Sequence, residues 1–384
     1  MLTKRAKLAP PPLAEGSADV AALIDTYFNA YNAGRLREAC QLWAHMIDSG
    51  ATIGLSLSGA LTPAGLSSVI TPLIESGFVD YISSTGANLY HDLHFDLGFD
   101  LYRGDARIAS GAHDVDLRRD HIIRVYDVLF EADVLYKTDD WLYRVMTAPE
   151  FSGRMGTAEL HYKIGKYALE TARQTGAKPS ILATCHALDV PVWSPSPGDS
   201  TIGLNVAAMQ AANRRDPGQV PIVDPSLDVN AMAALVYDCK VAQGGTSGVV
   251  ILGGGAPKNF LLQTEPQIQE ILGLEEKGHD YFIQVTDARV DTGGLSGATP
   301  SEAVSWGKVD PTKLPDCVVA YSDTTIALPL MASYVLHKCK PREPRRLYRR
   351  VDEMSDALGR AYQSSPRFQR LMAQNAGPPT GGSR

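Results

Sequence analysis

"SGVVILGGGAPKNF" (residues 247–260) decides the fold. An unbroken apolar run stops at Gly253, Gly254 and Gly255, and a helix-like segment follows. A strand that is apolar at every position, not every second one, is buried on both faces. Glycines after such a strand let the backbone approach a ligand closely, and the helix behind them offers free N–H groups and a positive dipole. The dinucleotide fingerprint G-x-G-x-x-G is not met, because Lys258 stands where its third glycine belongs. A Walker A loop is not met either, in spacing or in the residue after the lysine. The stretch alone is either a phosphate-facing turn or a tight strand-to-helix connection.

Working outward, the same pattern recurs. "ATIGLSLSGAL", "FVDYISSTGANL", "PSILATCHAL", "VPVWSPSPGDS", "DYFIQVTDA" and "DCVVAYSDTT" each read as a short buried strand ending at small or acidic residues. Helical stretches such as "PAGLSSVITPLIESG" and "NAMAALVYDCKVAQ" lie between them. This alternation predicts an α/β fold with a doubly wound, mostly parallel sheet. Two helices precede it: residues 17–34, with Ser17 as N-cap and Gly34 as terminator, and residues 35–50. The predicted organisation is a leader with N-terminal helices (1–50), an α/β domain (51–340), and a basic C-terminal helix and tail (341–384). The charged middle, residues 101–146, reads as a surface excursion, and the basic run "KCKPREPRRLYRR" as a solvated segment.

The 384 residues carry a net charge of −7, which excludes a nucleic-acid footprint. The five cysteines are scattered and never spaced C-x-x-C, which predicts reduced thiols in a cytoplasmic protein, without disulfides or zinc. The first residues lack the apolar core of a signal peptide. No run reaches the ~18 apolar residues of a membrane span.

Strand ends are where such sheets bind ligands, so candidate chemistry is sought there. Asp199 and Asp323 follow strand-like runs and read either as ligands of a ribose or amine or as helix N-caps. "NLYHDLHFD" holds His91 and His94, but H-x-x-H with no second cluster is a weak metal pattern, so no metal is expected; His91 is read as facing a pocket. In "SGATPSEAVSWGKV" (residues 296–309), Lys308 is either a solvated charge or a working amine. A lysine nucleophile must be neutral, and burial beside an aromatic wall favours that. Trp306 is a candidate wall and a cation–π surface, and Glu302 lies one helical turn earlier.

Together these segments resemble the deoxyhypusine synthase family, particularly its bacterial deoxyhypusine synthase-like branch. "SGATPSEAVSWGK" resembles that family's active-lysine signature, "SGARPDEAVSWGK" in the eukaryotic enzyme; "VVILGGGAPKNF" and "YSDTTIALPL" resemble its Gly-rich segment and a later strand end. The resemblance implies a Rossmann-like NAD-binding domain in a homotetramer, with active sites at subunit interfaces. It also implies a reaction: spermidine is oxidised with NAD to an imine, the active lysine takes the aminobutyl group, and an acceptor amine receives it. It assigns Lys308 as that lysine, with Glu302 and Trp306 near substrate. It places Ser58, Thr85, Gly86, Asp199, Gly253, Gly254, Ser296, Asp323 and Thr324 around NAD.

The departures lie at the substrate end. Asn259 stands where the eukaryotic enzyme has a proton-handling histidine, and asparagine cannot titrate. Leu204 and Leu295 replace two ammonium-binding aspartates, His91 a glutamate and Gln263 an asparagine; Asp287 or Asp291 could substitute through a shifted loop. The implied function is an NAD-dependent alkylamine transferase acting on a polyamine, with a product such as homospermidine. The alternatives are transfer to a protein lysine and a non-catalytic NAD-binding scaffold. Neither nucleic acid nor membrane is expected as a partner.

Overall fold

The structure, a computed structural model, describes residues 19–105, 110–111 and 113–375. The Pro-rich leader, Ser17 and the last residues, 376–384, lie outside the described residues.

Six parallel strands form the central sheet: β1 (Thr52–Leu57), β2 (Tyr81–Ser84), β3 (Val192–Trp193), β4 (Ser247–Leu252), β5 (Tyr281–Thr286) and β6 (Cys317–Tyr321). Their order is β6-β5-β4-β1-β2-β3. The chain builds β1-β2-β3 outward, returns to the centre, and builds β4-β5-β6 the other way. The two halves meet where β1 pairs with β4, Thr52 beside Ser247 and Leu57 beside Leu252. That meeting line is the switch point of a doubly wound sheet, where a crevice opens beyond the strand ends.

Every residue of β1, β4 and β5 is buried, as the nearly continuous apolar runs lead one to expect. Successive side chains of a strand point to opposite faces, and the core divides accordingly. Val250 and Leu252 of β4 join one cluster with Trp43, Ile53 and Leu55. Val249 and Ile251 join the other, with Tyr81, Trp193 and Phe282. Each such aliphatic side chain contributes about 1.5–3 kcal/mol by leaving water.

Three sequence expectations need correction. "PSILATCHAL" is not a strand; residues Ile181–Leu188 form a helix. Its first turn is fastened by capping: Ser180 accepts from the Ala183 N–H, while the Asp92 and Asp96 carboxylates accept from the Ile181 and Ser180 N–H groups at 2.6 and 2.8 Å. A short helix whose first five residues are all buried carries no periodicity that separates it from a strand. Gly34 does not end a helix either. It is buried inside the helix Tyr31–Asp48, and a Cβ there would come within 3.3 Å of the Asn29 backbone. The preceding helix, Val20–Tyr27, is capped by Asp19.

The third correction concerns the basic run, which is a latch. Arg342 pairs with Asp80 at 2.8 Å, Arg346 and Arg349 with Asp189 at 2.8 Å each, and Arg350 with Asp238 at 3.2 Å. All three carboxylates are buried and stand before or near the starts of strands. The charged middle is a surface excursion only in part: Tyr102–Arg103, Val128–Glu131 and Ile122–Val125 form a three-stranded antiparallel sheet, but the helix Ala132–Met146 that follows buries Leu142, Val145 and Met146 in the core. Among the described residues no helix is long and apolar enough to cross a membrane.

Candidate active site

At the switch point the strand ends are knitted by hydroxyls and amides. The Gly254 N–H donates to Ser58 Oγ at 3.1 Å, and that hydroxyl donates to the Gly254 carbonyl. Thr85 Oγ1 donates to the Gly59 carbonyl at 2.6 Å, tying the end of β2 to that of β1. The Gly255 N–H donates to Ser296 Oγ at 3.0 Å. Gln284, buried in β5, donates through Nε2 to the carbonyls of Gly253 and Ser296 at 2.9 and 2.8 Å. The glycine turn and the Ser296 turn are therefore one rigid unit. Glycine at 254 is required by contact, since a Cβ would lie 2.4 Å from the Ser296 Cα.

The crevice has room for a phosphate-bearing group. Gly59 and Gly255 have φ of +66° and +60°, and a Cβ at either would meet nothing within 4 Å. The helix Gly255–Leu262 starts from Gly254, which has no side chain to cap it. Open space beside a helix N-terminus suits an anion, although Ser296 Oγ already takes the first N–H, that of Gly255. These residues fit a dinucleotide on the strand ends.

Beside the crevice lies a pocket of about 320 Å³, lined by Lys258, Asn259, Leu295, Glu302, Trp306 and Lys308 among others. Lys308 is half-buried, and its Nζ donates to Asn259 Oδ1 at 3.1 Å. The same Nζ lies 5.9 Å from the Trp306 ring centroid. Burial pulls the Lys308 ammonium below its ordinary pKa, opposed by the charge of Glu302. The helix Pro300–Ser305 is started by Thr299, which accepts from the Glu302 N–H at 3.3 Å, and so fixes where Glu302 stands. The arrangement is a half-buried amine, an oriented amide, two carboxylates (Glu302 and the exposed Glu270) and an aromatic face.

The expected site residues separate into two groups. Lys308, Asn259, Glu302, Trp306, Leu295 and Gln263 all line this pocket. Ser58, Thr85, Gly253, Gly254 and Ser296 meet at the crevice; Gly86 abuts Ser200, where a Cβ would lie 2.0 Å from the Ser200 Cβ. Asp323 takes the helix-capping option: it accepts from the Thr325 and Ile326 N–H groups at 2.7 and 3.2 Å, with Thr324 opening that helix. Asp199 ends an exposed turn, Pro197–Asp199. His91 and Leu204 do not line the Lys308 pocket. His91 sits mid-helix in Gly86–Asp96 with its Nδ1 3.0 Å from His94 Nε2 and its ring against Phe130. Leu204 is 60% exposed on the helix Thr201–Ala212. Asp291 is held by Arg289 at 2.6 Å, with both side chains in solvent.

One pocket residue escaped sequence reading. Lys258, noticed only as an interruption of the glycine fingerprint, is 3% exposed. Its Nζ donates to Gln284 Oε1 at 3.0 Å and to the Ala298 carbonyl at 2.7 Å, both neutral acceptors. Burial first, and then the charge of Lys308, push it down to about 8. The available signal was its position three and four residues before Leu261 and Leu262, on the buried face of that helix.

Comparison with known proteins follows the same outline. A family model described as deoxyhypusine synthase matches residues 22–335. The chain is 52% identical to a "Deoxyhypusine synthase-like protein" of Nostoc punctiforme, over 93% of this chain and 89% of that one. It is 36% identical to a candidate deoxyhypusine synthase of Methanosarcina acetivorans, over 85% and 89% of the two chains. In fold it is similar to the crystal structure of a candidate deoxyhypusine synthase from Entamoeba histolytica. The TM-score is 0.53 at 14% identity, covering 84% of this chain and 94% of that one.

Proposed function

The chain belongs to the deoxyhypusine synthase family of aminobutyl transferases, and from that premise we propose that it is an NAD-dependent alkylamine transferase working through Lys308. Its donor is a polyamine of the spermidine type, and its acceptor is a small amine, giving a product of the homospermidine type. The observation that carries the reading is the half-buried Lys308 amine held 3.1 Å from Asn259 Oδ1, beside a switch-point crevice with glycine-lined space.

When bound, NAD supplies the hydride acceptor that turns the donor's secondary amine into an imine, and it returns the hydride to the product. The chain's own residues do the rest. Lys308, made easier to deprotonate by burial, attacks the imine carbon and displaces the diamine fragment. The aminobutyl group is then held as an imine on Nζ until the acceptor amine displaces it. Asn259 orients Nζ through a hydrogen bond but cannot titrate, so it neither gives nor takes a proton in the reaction. Glu302, with Glu270 in the lining of the same pocket, is available to a substrate ammonium, and Trp306 offers its face to the alkyl chain. Leu295, 49% exposed at the pocket, leaves one wall without a charge-assisted partner, which suits an acceptor with fewer ammonium groups than spermidine.

The homotetramer and the cytoplasmic setting belong to the same proposal. Leu204, Ile326 and Trp306 are 60%, 64% and 63% exposed, large apolar side chains of the kind that neighbouring subunits would cover. The test is incubation with NAD and a panel of diamines and polyamines, following NADH absorbance and product mass together. An NAD-dependent product one aminobutyl unit heavier than its acceptor supports the reading. NAD binding with no product from any amine supports the scaffold instead. A mass increment on a lysine of an added protein would move the acceptor to that protein.

A further inference from the structure

Behind the loop that carries Lys308 lies a buried charge cluster that the pocket chemistry leaves unused. Lys240 is 2.5 Å from Glu276 Oε1 and 3.4 Å from Asp280 Oδ2, and the Glu276 side chain is 1% exposed. Glu265 is fully buried beside it. Burial, with Glu276 as neighbour, holds the Glu265 carboxyl well above the carboxylate range, so it keeps its proton. Burial acts on Glu276 in the same direction, but the Glu265 hydrogen bond and the Lys240 ammonium overcome it, and Glu276 stays ionised. The pair therefore carries one proton and one charge, and Lys240 answers the charge.

The cluster reaches Lys308 through one side chain. Gln269 Nε2 is 3.3 Å from Glu265 Oε2, 3.3 Å from Glu276 Oε2, and 2.8 Å from the carbonyl of Gly307, the residue before Lys308. Gly307 has φ +68°, in the left-handed region that favours glycine, and a Cβ there would fall 2.4 Å from Gln269 Oε1, so a side chain at 307 would push that amide aside. The loop is fastened on its other side as well. The His279 N–H donates to the Lys308 carbonyl at 3.1 Å, and the Asp310 N–H to the His279 carbonyl at 3.2 Å. A buried ion pair adds little net stability, which leaves orientation as its use here.

We propose that Gln269, held in place by Glu265, Glu276 and Lys240, is a positioning residue that aims the Lys308 amine at Asn259. The inference rests on the reading of Lys308 as the imine-forming amine, and it adds the device that sets its direction. Gln269 does not line the Lys308 pocket.

The test pairs kinetics with structure. Gln269→Met keeps the length and removes the donors. The rate of borohydride-trapped adduct at Lys308, at saturating amine, falls on the order of tenfold to a hundredfold, while KM for the amine stays within about twofold. The crystal structure of the variant loses the Lys308–Asn259 contact. Glu276→Gln, which leaves Lys240 only Asp280 at 3.4 Å, lowers the rate more than Glu265→Gln, which replaces a protonated carboxyl by a neutral amide. An unchanged trapping rate, a loss confined to KM, an unmoved Lys308–Asn259 contact, or the reverse order of the two glutamate variants overturns the proposal. Should the wild-type protein trap no amine at all, the transferase reading fails, and the variant crystal structures alone decide whether Gln269 aims Lys308.

Discussion

The two ends of the central sheet are built on opposite principles. At the end where strands begin, buried carboxylates meet arginines from the C-terminal segment: Asp80 with Arg342, Asp189 with Arg346 and Arg349, Asp238 with Arg350. Arg342 also donates to the Ala51 carbonyl at 2.9 Å. At the end where strands finish, the turns are glycine, serine and threonine. Two would-be Cβ positions open onto empty space, and a buried lysine has only neutral oxygens as hydrogen-bond partners. One end is closed by ion pairs and holds the chain together. The other leaves space and unneutralised charge, which is what a binding site requires and stability does not.

Substitutions at either end should break this contrast or sharpen it. The largest effect falls on Lys308→Ala at the open end: turnover and trapped adduct disappear while the melting temperature barely moves. Next, Arg342→Met at the closed end costs about 3 kcal/mol in denaturant unfolding, because it leaves Asp80 buried with only Arg345 at 3.5 Å; activity per folded molecule is kept.

Lys258→Met, at the open end, works in the opposite sense on stability. Lys258 is depressed from 10.5 to about 8 by burial. Between pH 8 and 10.5 the unfolded chain therefore binds a proton that the folded chain does not, and stability rises with pH across that window. Lys258→Met abolishes that rise and stabilises the fold at pH 7 by about 2 kcal/mol, at the expense of activity. Stability curves at pH 7 and pH 10 measure both. The smallest effect is that of Gly255→Ala, whose left-handed φ costs about 1 kcal/mol, while the added methyl intrudes on the open space and weakens NAD binding measured by calorimetry.

The fold was legible wherever composition alone settles burial. The runs at β1, β4 and β5 are mostly apolar and end in glycine or small polar residues, and they are the buried centre of the sheet. It was not legible where distant residues decide. Helix Ile181–Leu188 depends on Asp92 and Asp96, 89 and 84 residues away from the N–H groups they hold. The basic run reads as solvated until the fold brings Asp80 beside Arg342, 262 residues apart. The site divides the same way. Asn259 and Lys308 stand in two motifs that sequence could flag, whereas Gln269 and Glu265 have no local pattern and gain meaning only from Gly307 lying above them. His91 attracted notice as a histidine near a strand end, yet its helix turns it toward His94 and Phe130, away from the Lys308 pocket.

The central claim is that Lys308 carries the transferred group. Its most direct measurement is peptide mass spectrometry after incubation with NAD and spermidine and reduction with borohydride. The account predicts an added aminobutyl mass on the peptide containing Lys308, dependent on NAD and absent from Lys308→Ala. Product formation with an unmodified Lys308 peptide, or undiminished turnover in Lys308→Ala, would contradict it.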